Sequence, residues 1–221
     1  ILSPTRELAT QTADNFEIYG KHLNLSMALL IGGVSMGDQT AALEKGVDVL
    51  IATPGRMIDL FERGNILLSD IKIFVIDEAD RMLDMGFIPD VERIVSLLPP
   101  IRQTLFFSAT MPPEIAKLAD KILTEPVRVE VTPVSSTAER IEQHVMFVEK
   151  SDKRPLLGEV LKRPEIGRAL VFTRTKHGAN KLVEQLGKDG IGAMAIHGNK
   201  SQAQRERALG EFRSGKVPLL I

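Results

Sequence analysis

Short apolar or β-branched runs alternate along the chain with longer stretches in which apolar residues recur every three or four positions. This alternation predicts a parallel sheet with helices on its faces. A run of four to six apolar residues suits a strand buried on both sides, and a 3.6-residue period suits a helix with one buried stripe. The strand candidates are residues 26–31, 47–52, 73–76, 103–107 and 127–131, then 142–148, 169–172, 193–196 and 217–221. In the first helical stretch Leu8, Thr12, Phe16 and Tyr19 fall at steps of three and four and form the predicted buried face, with Glu7, Asp14, Asn15 and Lys21 left to solvent. Further helices are predicted over residues 58–63, 91–98, 115–123, 156–162, 179–188 and 202–212.

Residues 132–140 are polar, short in large apolar side chains, and lie between two sets of strand-helix units. They predict an N-terminal domain over 1–133, a linker over 134–141 and a C-terminal domain over 142–221; one long surface loop within a single domain is the alternative. Ile1-Leu2 reads as the tail of a strand, and the last five residues, Val217 to Ile221, stop inside an apolar run. Both domains are therefore expected to be truncated.

Composition narrows the function classes. With 43% apolar and 26% charged residues in 221, the chain has enough apolar side chains for a real core. A formal net charge of -1 means that any contact with nucleic acid comes from local placement of Lys and Arg, not from a global excess. The absence of cysteine removes disulfides, thiolate catalysis and Cys-based zinc sites. His22, His144, His177 and His197 are scattered, with none at metal-ligand spacing. No apolar run approaches the roughly 20 residues that span a bilayer, so no membrane partner is expected.

The strongest chemical signal is Phe74-Val75-Ile76-Asp77-Glu78-Ala79-Asp80, an apolar strand ending in three carboxylates within four residues, which looks like a Walker B element. A carboxylate at the C-terminal end of a parallel strand stands at the crevice where such folds bind ligands, and Mg²⁺ prefers carboxylate and phosphate oxygens. Asp77 would hold Mg²⁺ through water, and Glu78 would orient or deprotonate the water that attacks a γ-phosphate. Taken alone, the cluster also reads as an acidic strand-to-helix turn favoured by the helix dipole.

Other segments suit a phosphate backbone. Thr53 before Pro54 predicts an N-cap and first helical residue, so Gly55 and Arg56 open a helix whose free N–H groups face a phosphate. Pro4-Thr5-Arg6 similarly opens a helix after a strand, adding a hydroxyl and a guanidinium. Gly32-Gly33, without Cβ atoms, would let a nucleic-acid backbone approach the chain. Any one of these also reads as an ordinary turn or cap. Together they predict RNA binding through sugar and phosphate with little sequence preference. Ser201-x-x-Gln204 is a capping-box pattern starting a helix, on which Gln202 and Arg205 fall three apart.

The tetrapeptide Asp77-Glu78-Ala79-Asp80 stands in order among Pro4-Thr5-Arg6-Glu7-Leu8-Ala9, Gly32-Gly33, Thr53-Pro54-Gly55-Arg56, Ser108-Ala109-Thr110, Val171-Phe172-Thr173-Arg174-Thr175 and His197-Gly198. In this set and order the chain resembles the DEAD-box ATP-dependent RNA helicases over nearly its whole length. The resemblance implies two RecA-like doubly wound parallel-sheet domains, ATP and Mg²⁺ as ligands, and RNA as partner; it names no protein partner. It further implies that Ser108 and Thr110 bond to the acidic cluster at Asp80, linking the nucleotide site to RNA strand opening. It implies RNA contacts by Arg174, His197, Gly198, Gln202 and Arg205. Family habit and the lack of cysteine suggest a cytoplasmic location. Asn199 stands where the family often has Asp, a change expected to be neutral. No G-x-x-x-x-G-K-[ST] pattern occurs in the chain, nor the family's upstream glutamine motif or its downstream arginine-rich motif. The 221 residues as they stand are therefore expected to hydrolyse ATP poorly. The competing readings are an RNA clamp without turnover and a related helicase acting on DNA.

Overall fold

A computed structural model describes residues 1–131 and 141–221. They form two compact units, Ile1–Val129 and Glu130–Ile221. Of the expected linker, residues 134–140 lie outside the described residues.

In the first unit β1 (Met27–Leu30) pairs in parallel with β2 (Val49–Ala52), and β3 (Ile73–Ile76) pairs in parallel with β4 (Gln103–Phe106). Leu2 joins the two pairs, bridging in parallel to Ala52 on one side and Ile76 on the other. Its N–H donates to Val75 O at 2.8 Å and its carbonyl accepts from Asp77 N–H at 3.0 Å, while Ser3 N–H donates to Ala52 O at 2.9 Å. The order across the sheet is thus β1, β2, Leu2, β3, β4. Around it lie α1 (Arg6–Gly20), α2 (Met36–Glu44), α3 (Pro54–Glu62), α4 (Ala79–Asp84), α5 (Ile88–Leu97) and α6 (Pro113–Ile122).

The two-residue period of the strands feeds two separate cores. Ala28, Leu30 and Ala52 pack in one cluster with Met57, Leu60, Phe74, Ile76, Val91, Ile94, Ile115 and Leu118. Ile51, with Met27, Leu29 and Val49, packs in another cluster with Ala9, Ala13 and Phe16 of α1. Both faces of the β1–β2 half of the sheet are therefore covered, as continuous apolar strands require, whereas Ile73 of β3 is 59% exposed. Burying a side chain such as Ile51 or Leu60, each 0% exposed, contributes about 1.5–3 kcal/mol.

The face of α1 differs from the expected one. Its buried residues are Ala9 and Ala13, with Phe16 half-buried, whereas Tyr19 is 80% exposed. The stripe is rotated by about one residue because two alanines let the helix lie close on the sheet, and the expectation weighted only large side chains. Two helices carry no readable apolar period. In α2 the buried residue is Gln39, whose Nε2 donates to Ile31 O and Ser35 O, both at 3.1 Å. Helix α4 has only six residues.

The expected strands over 127–131 and 142–148 are not formed. Val127, Val129 and Val131 are 91%, 87% and 88% exposed, and Phe147 is 97% exposed. Alternation marks which side chains share a face, but a strand also needs a neighbouring edge to bond to, and no described strand pairs with either segment.

The second unit contains α7 (Lys153–Leu161), β5 (Ala169–Leu170), α8 (Lys176–Lys188), β6 (Ala193–Met194), α9 (Gln202–Arg213) and β7 (Leu219–Leu220). Its strands are parallel in the order β5, β7, β6. Ala179 and Leu186 of α8 pack with Ala195, Leu219 and Ile221. The capping box at the start of α9 forms as its pattern predicts: Ser201 Oγ accepts from Gln204 N–H at 3.3 Å, and Gln204 Oε1 accepts from Ser201 N–H at 3.0 Å.

Candidate functional site

Every singled-out segment of the first unit leaves the sheet at its C-terminal edge. Gly32-Gly33 follows β1, Thr53 follows β2, Pro4 follows the Leu2 bridge, Asp77 follows β3 and Ser108 follows β4. Sheet order therefore sets their spatial order. The glycine pair, the α3 N-terminus and the α1 N-terminus occupy one half of the edge, and the carboxylates with Ser108-Ala109-Thr110 occupy the other.

On the acidic half, Asp77 is half-buried and anchored through its N–H to Leu2 O. Glu78 is the N-cap of α4 with φ 55° and ψ 51°. This left-handed conformation is unfavourable for a residue with a Cβ, and strain of this kind concentrates at functional sites. Two of the turn's N–H groups fasten it to the segment that leaves β4: Ala79 N–H donates to Phe107 O at 3.0 Å and Asp80 N–H to Ser108 Oγ at 3.1 Å. The Asp80 carboxylate accepts from Thr110 N–H at 2.9 Å, the Thr110 hydroxyl at 2.7 Å and Arg81 N–H at 3.0 Å. Ser108 Oγ in turn donates to Thr110 O at 2.7 Å. Partial burial pushes the Asp80 pKa up, but the hydrogen bonds from Thr110, Ser108 and Arg81 outweigh it and hold the carboxyl below its ordinary value.

On the other half, Thr5 caps α1, its hydroxyl accepting from Leu8 N–H at 3.2 Å. The space beside Gly32 and Gly33 is filled by Arg6. A Cβ at Gly32 would lie 3.1 Å from Arg6 Nη2, and one at Gly33, where φ is +79°, would lie 2.4 Å from Arg6 Nη1. The glycines thus seat a guanidinium, where a nucleic-acid backbone was expected. Thr53 caps α3 without bonding its hydroxyl to the helix, and Gly55 faces open space. The Arg56 side chain is only 12% exposed, with Nε 4.0 Å from Asp59 Oδ2, and its Nη1 is buried with no hydrogen-bond partner among the described residues. Pro4 and Pro54 are fully buried; they set the helix starts and are not surface contacts.

In the second unit Arg174 is exposed in the loop after β5. His197, Gly198 and Asn199 form a turn held to α8 by two side chains. Lys176 Nζ donates to Asn199 Oδ1 at 2.9 Å, and His197 Nε2 lies 3.0 Å from Asn180 Oδ1. Sequence reading passed over Lys176 and Asn180, although their spacing of four behind the Thr175 N-cap puts them on one helix face. Gln202 is 3% exposed with Nε2 donating to Glu206 at 3.0 Å, while its Oε1 is buried with no hydrogen-bond partner among the described residues. Arg205 is half-buried.

A parallel α/β sheet with carboxylates at the end of one strand and helix N-termini at the ends of its neighbours defines a nucleotide-binding type of domain. Family comparison specifies it. Residues 1–118 match the DEAD/DEAH box helicase model and residues 152–221 the helicase conserved C-terminal domain model. The chain belongs to the DEAD-box helicase family, and its two units have the RecA-like fold of that family. It is 39% identical to a DEAD box protein from the hyperthermophile Methanococcus jannaschii, with a TM-score of 0.56, covering 100% of this chain and 59% of that one. Against Saccharomyces cerevisiae Dbp5 bound to RNA and ADP BeF3 the identity is 31% and the TM-score 0.84, over 100% of this chain and 56% of that one. A hypothetical ATP-dependent RNA helicase from Sulfolobus tokodaii is 31% identical with a TM-score of 0.57, covering 100% and 63%. The chain thus spans less than two thirds of the solved relatives it matches. No described helix is long and apolar enough to cross a membrane.

Proposed function

We propose that this chain forms the core of an ATP-dependent RNA helicase, which binds single-stranded RNA across two RecA-like domains and couples ATP hydrolysis to local duplex opening. The observation that carries the reading is the shared C-terminal edge of the first sheet, where the carboxylate turn and the phosphate-suited helix starts stand side by side. Asp77 suits Mg²⁺, which is bound by one or two carboxylates with waters and substrate phosphates, not by a full protein cage. When bound, Mg²⁺ neutralises charge on the phosphates. Glu78, fixed by its left-handed backbone, orients the attacking water and accepts its proton. Asp80 passes the state of this turn to Ser108 and Thr110 through its hydrogen bonds to them.

RNA is held on the other half of the edge by Thr5, Thr53, Gly55 and Arg56, with Arg6 and the glycines beneath it, and in the second unit by Arg174, His197, Gly198 and Arg205. The Arg56 Nη1, buried with no hydrogen-bond partner among the described residues, supports a ligand there, since buried polar groups are as a rule hydrogen-bonded. Pro4 and Pro54, both fully buried, are left out as direct contacts. The 221 residues alone, with no P-loop pattern among them, turn over ATP poorly.

The test is steady-state ATP hydrolysis by the product of the full reading frame that encodes these residues, alone, with single-stranded RNA, and with matched DNA. RNA-dependent stimulation lost in Glu78→Gln supports the reading. Tight ATP-dependent RNA binding without turnover would make the protein a clamp, and equal stimulation by DNA would remove RNA selectivity, which a required 2′-hydroxyl provides.

A further inference from the structure

The turn between β6 and α9 and the start of α8 carry a charge arrangement that includes two residues, Lys176 and Asn199, given no role so far. Lys176 and Asn180, one turn apart on α8, reach across to Asn199 and His197. Asn199 N–H donates to His197 Nδ1 at 3.3 Å, which makes Nδ1 an acceptor and leaves the ring hydrogen on Nε2 to donate to Asn180 Oδ1. The ring is therefore neutral in this network. Burial, then the positive charges of Lys200, Lys176, His177 and Arg205, hold the His197 pKa below its ordinary value, and no carboxylate is among the groups acting on it. Lys176 and Asn199 are both exposed. The ammonium of Lys176 is thus held in place by a neutral amide oxygen, and among the described residues no carboxylate pairs with it.

We propose that Lys176 binds an RNA phosphate and that Asn199 is its positioning residue, holding the ammonium without neutralising it. The assignment rests on the RNA-binding function proposed for this chain and adds a contact to it. The choice of side chain at 199 then matters. Aspartate has the same shape as asparagine and would keep the contact with Lys176, but as an ion pair it would spend the lysine's charge locally instead of on a phosphate. Under this assignment the exchange, expected from the sequence to be neutral, carries a specific electrostatic consequence.

The experiment measures single-stranded RNA affinity against salt concentration for the full-length protein with a non-hydrolysable ATP analogue, in wild type, Lys176→Gln, Asn199→Asp and Asn199→Ala. Each phosphate neutralised on a single strand adds about 0.7 to the steepness of log K against log salt. Lys176→Gln and Asn199→Asp are each expected to weaken binding about three- to tenfold at low salt and to flatten the slope by about 0.7, as removal of a single phosphate interaction requires. Asn199→Ala keeps the lysine charge, so it is expected to weaken binding less and leave the slope unchanged, which a merely structural role for residue 199 would not produce. Unchanged thermal melting of Asn199→Asp confirms that the turn is intact. If wild type binds RNA and both Lys176→Gln and Asn199→Asp retain its affinity and slope, the assignment is overturned while the RNA reading stands. If wild type binds no RNA, both fall.

Discussion

Replacing Thr110 with valine removes one hydroxyl of nearly the same shape and tests whether the clasp on Asp80 holds the acidic turn to the segment after β4. Asp80 Oδ2 accepts from that hydroxyl at 2.7 Å and from the Thr110 N–H at 2.9 Å; the substitution removes only the first of these bonds. A hydrogen bond to a charged group contributes about 1.5–3 kcal/mol. The site is partly exposed, so water replaces part of it, and the expected loss is about 1–1.5 kcal/mol. In the Asp80→Asn background the charge is already gone, and Thr110→Val should then cost about 0.5 kcal/mol, a coupling of about 0.5–1 kcal/mol between neighbouring partners. Urea unfolding followed by far-UV circular dichroism on the four proteins measures it. A Thr110→Val cost below about 0.3 kcal/mol, or the same cost in both backgrounds, would refute the argument that the hydroxyl acts through the Asp80 carboxylate.

The same clasp has a pH signature. Because the folded Asp80 pKa is depressed, its contribution is fully present above the unfolded carboxylate value of about 3.9 and is lost as pH falls through the folded pKa. The stability gap between wild type and Thr110→Val should be constant from about pH 7 to 5 and should narrow only below about pH 4; a gap that closes near neutrality would point to a different group. Gly33→Ala places a Cβ where φ is +79° and against Arg6 Nη1, costing about 1–2 kcal/mol in backbone strain and displacing the guanidinium. Chemical denaturation should show that loss, together with weaker RNA binding in the full-length protein. At Glu78, where the backbone is left-handed, asparagine relieves strain and should raise stability by a few tenths to about 1 kcal/mol while abolishing ATP turnover; glutamine should abolish turnover without the gain. Equal melting temperatures for the two variants would show that the conformation carries no cost.

What could be read without coordinates came from local rules. Three of the first unit's strands, at residues 27–30, 49–52 and 73–76, are wholly apolar, and continuous apolarity is what burial on two faces demands. The Ser201 capping box was legible because donor and acceptor sit three residues apart on one chain. Short helix α4 and helix α2 were not legible, since six residues hold no period and Gln39 stabilises α2 through bonds to backbone carbonyls. Residues 127–131 and 142–148 misled for the opposite reason: their alternation is real, but pairing depends on a neighbour that alternation does not describe.

For the site, the sequence by itself determined which residue types were present and in what local frame: carboxylates after an apolar run, hydroxyls and prolines at helix starts, glycines where no Cβ is tolerated. Only the tertiary structure decided who meets whom. Parallel pairing through Leu2 brought residues 2, 52 and 76 side by side and so arrayed five loops along one edge. Packing within the first unit put Thr110 on Asp80 and Arg6 on Gly33 while turning Pro4 and Pro54 inward, and packing within the second put Lys176 on Asn199 and turned Gln202 inward. Local geometry constrains contacts within a few residues. Contacts across 23 to 30 positions, such as those of Asn199 and Thr110, exist only after loop-closure entropy has been offset by burial of the whole sheet.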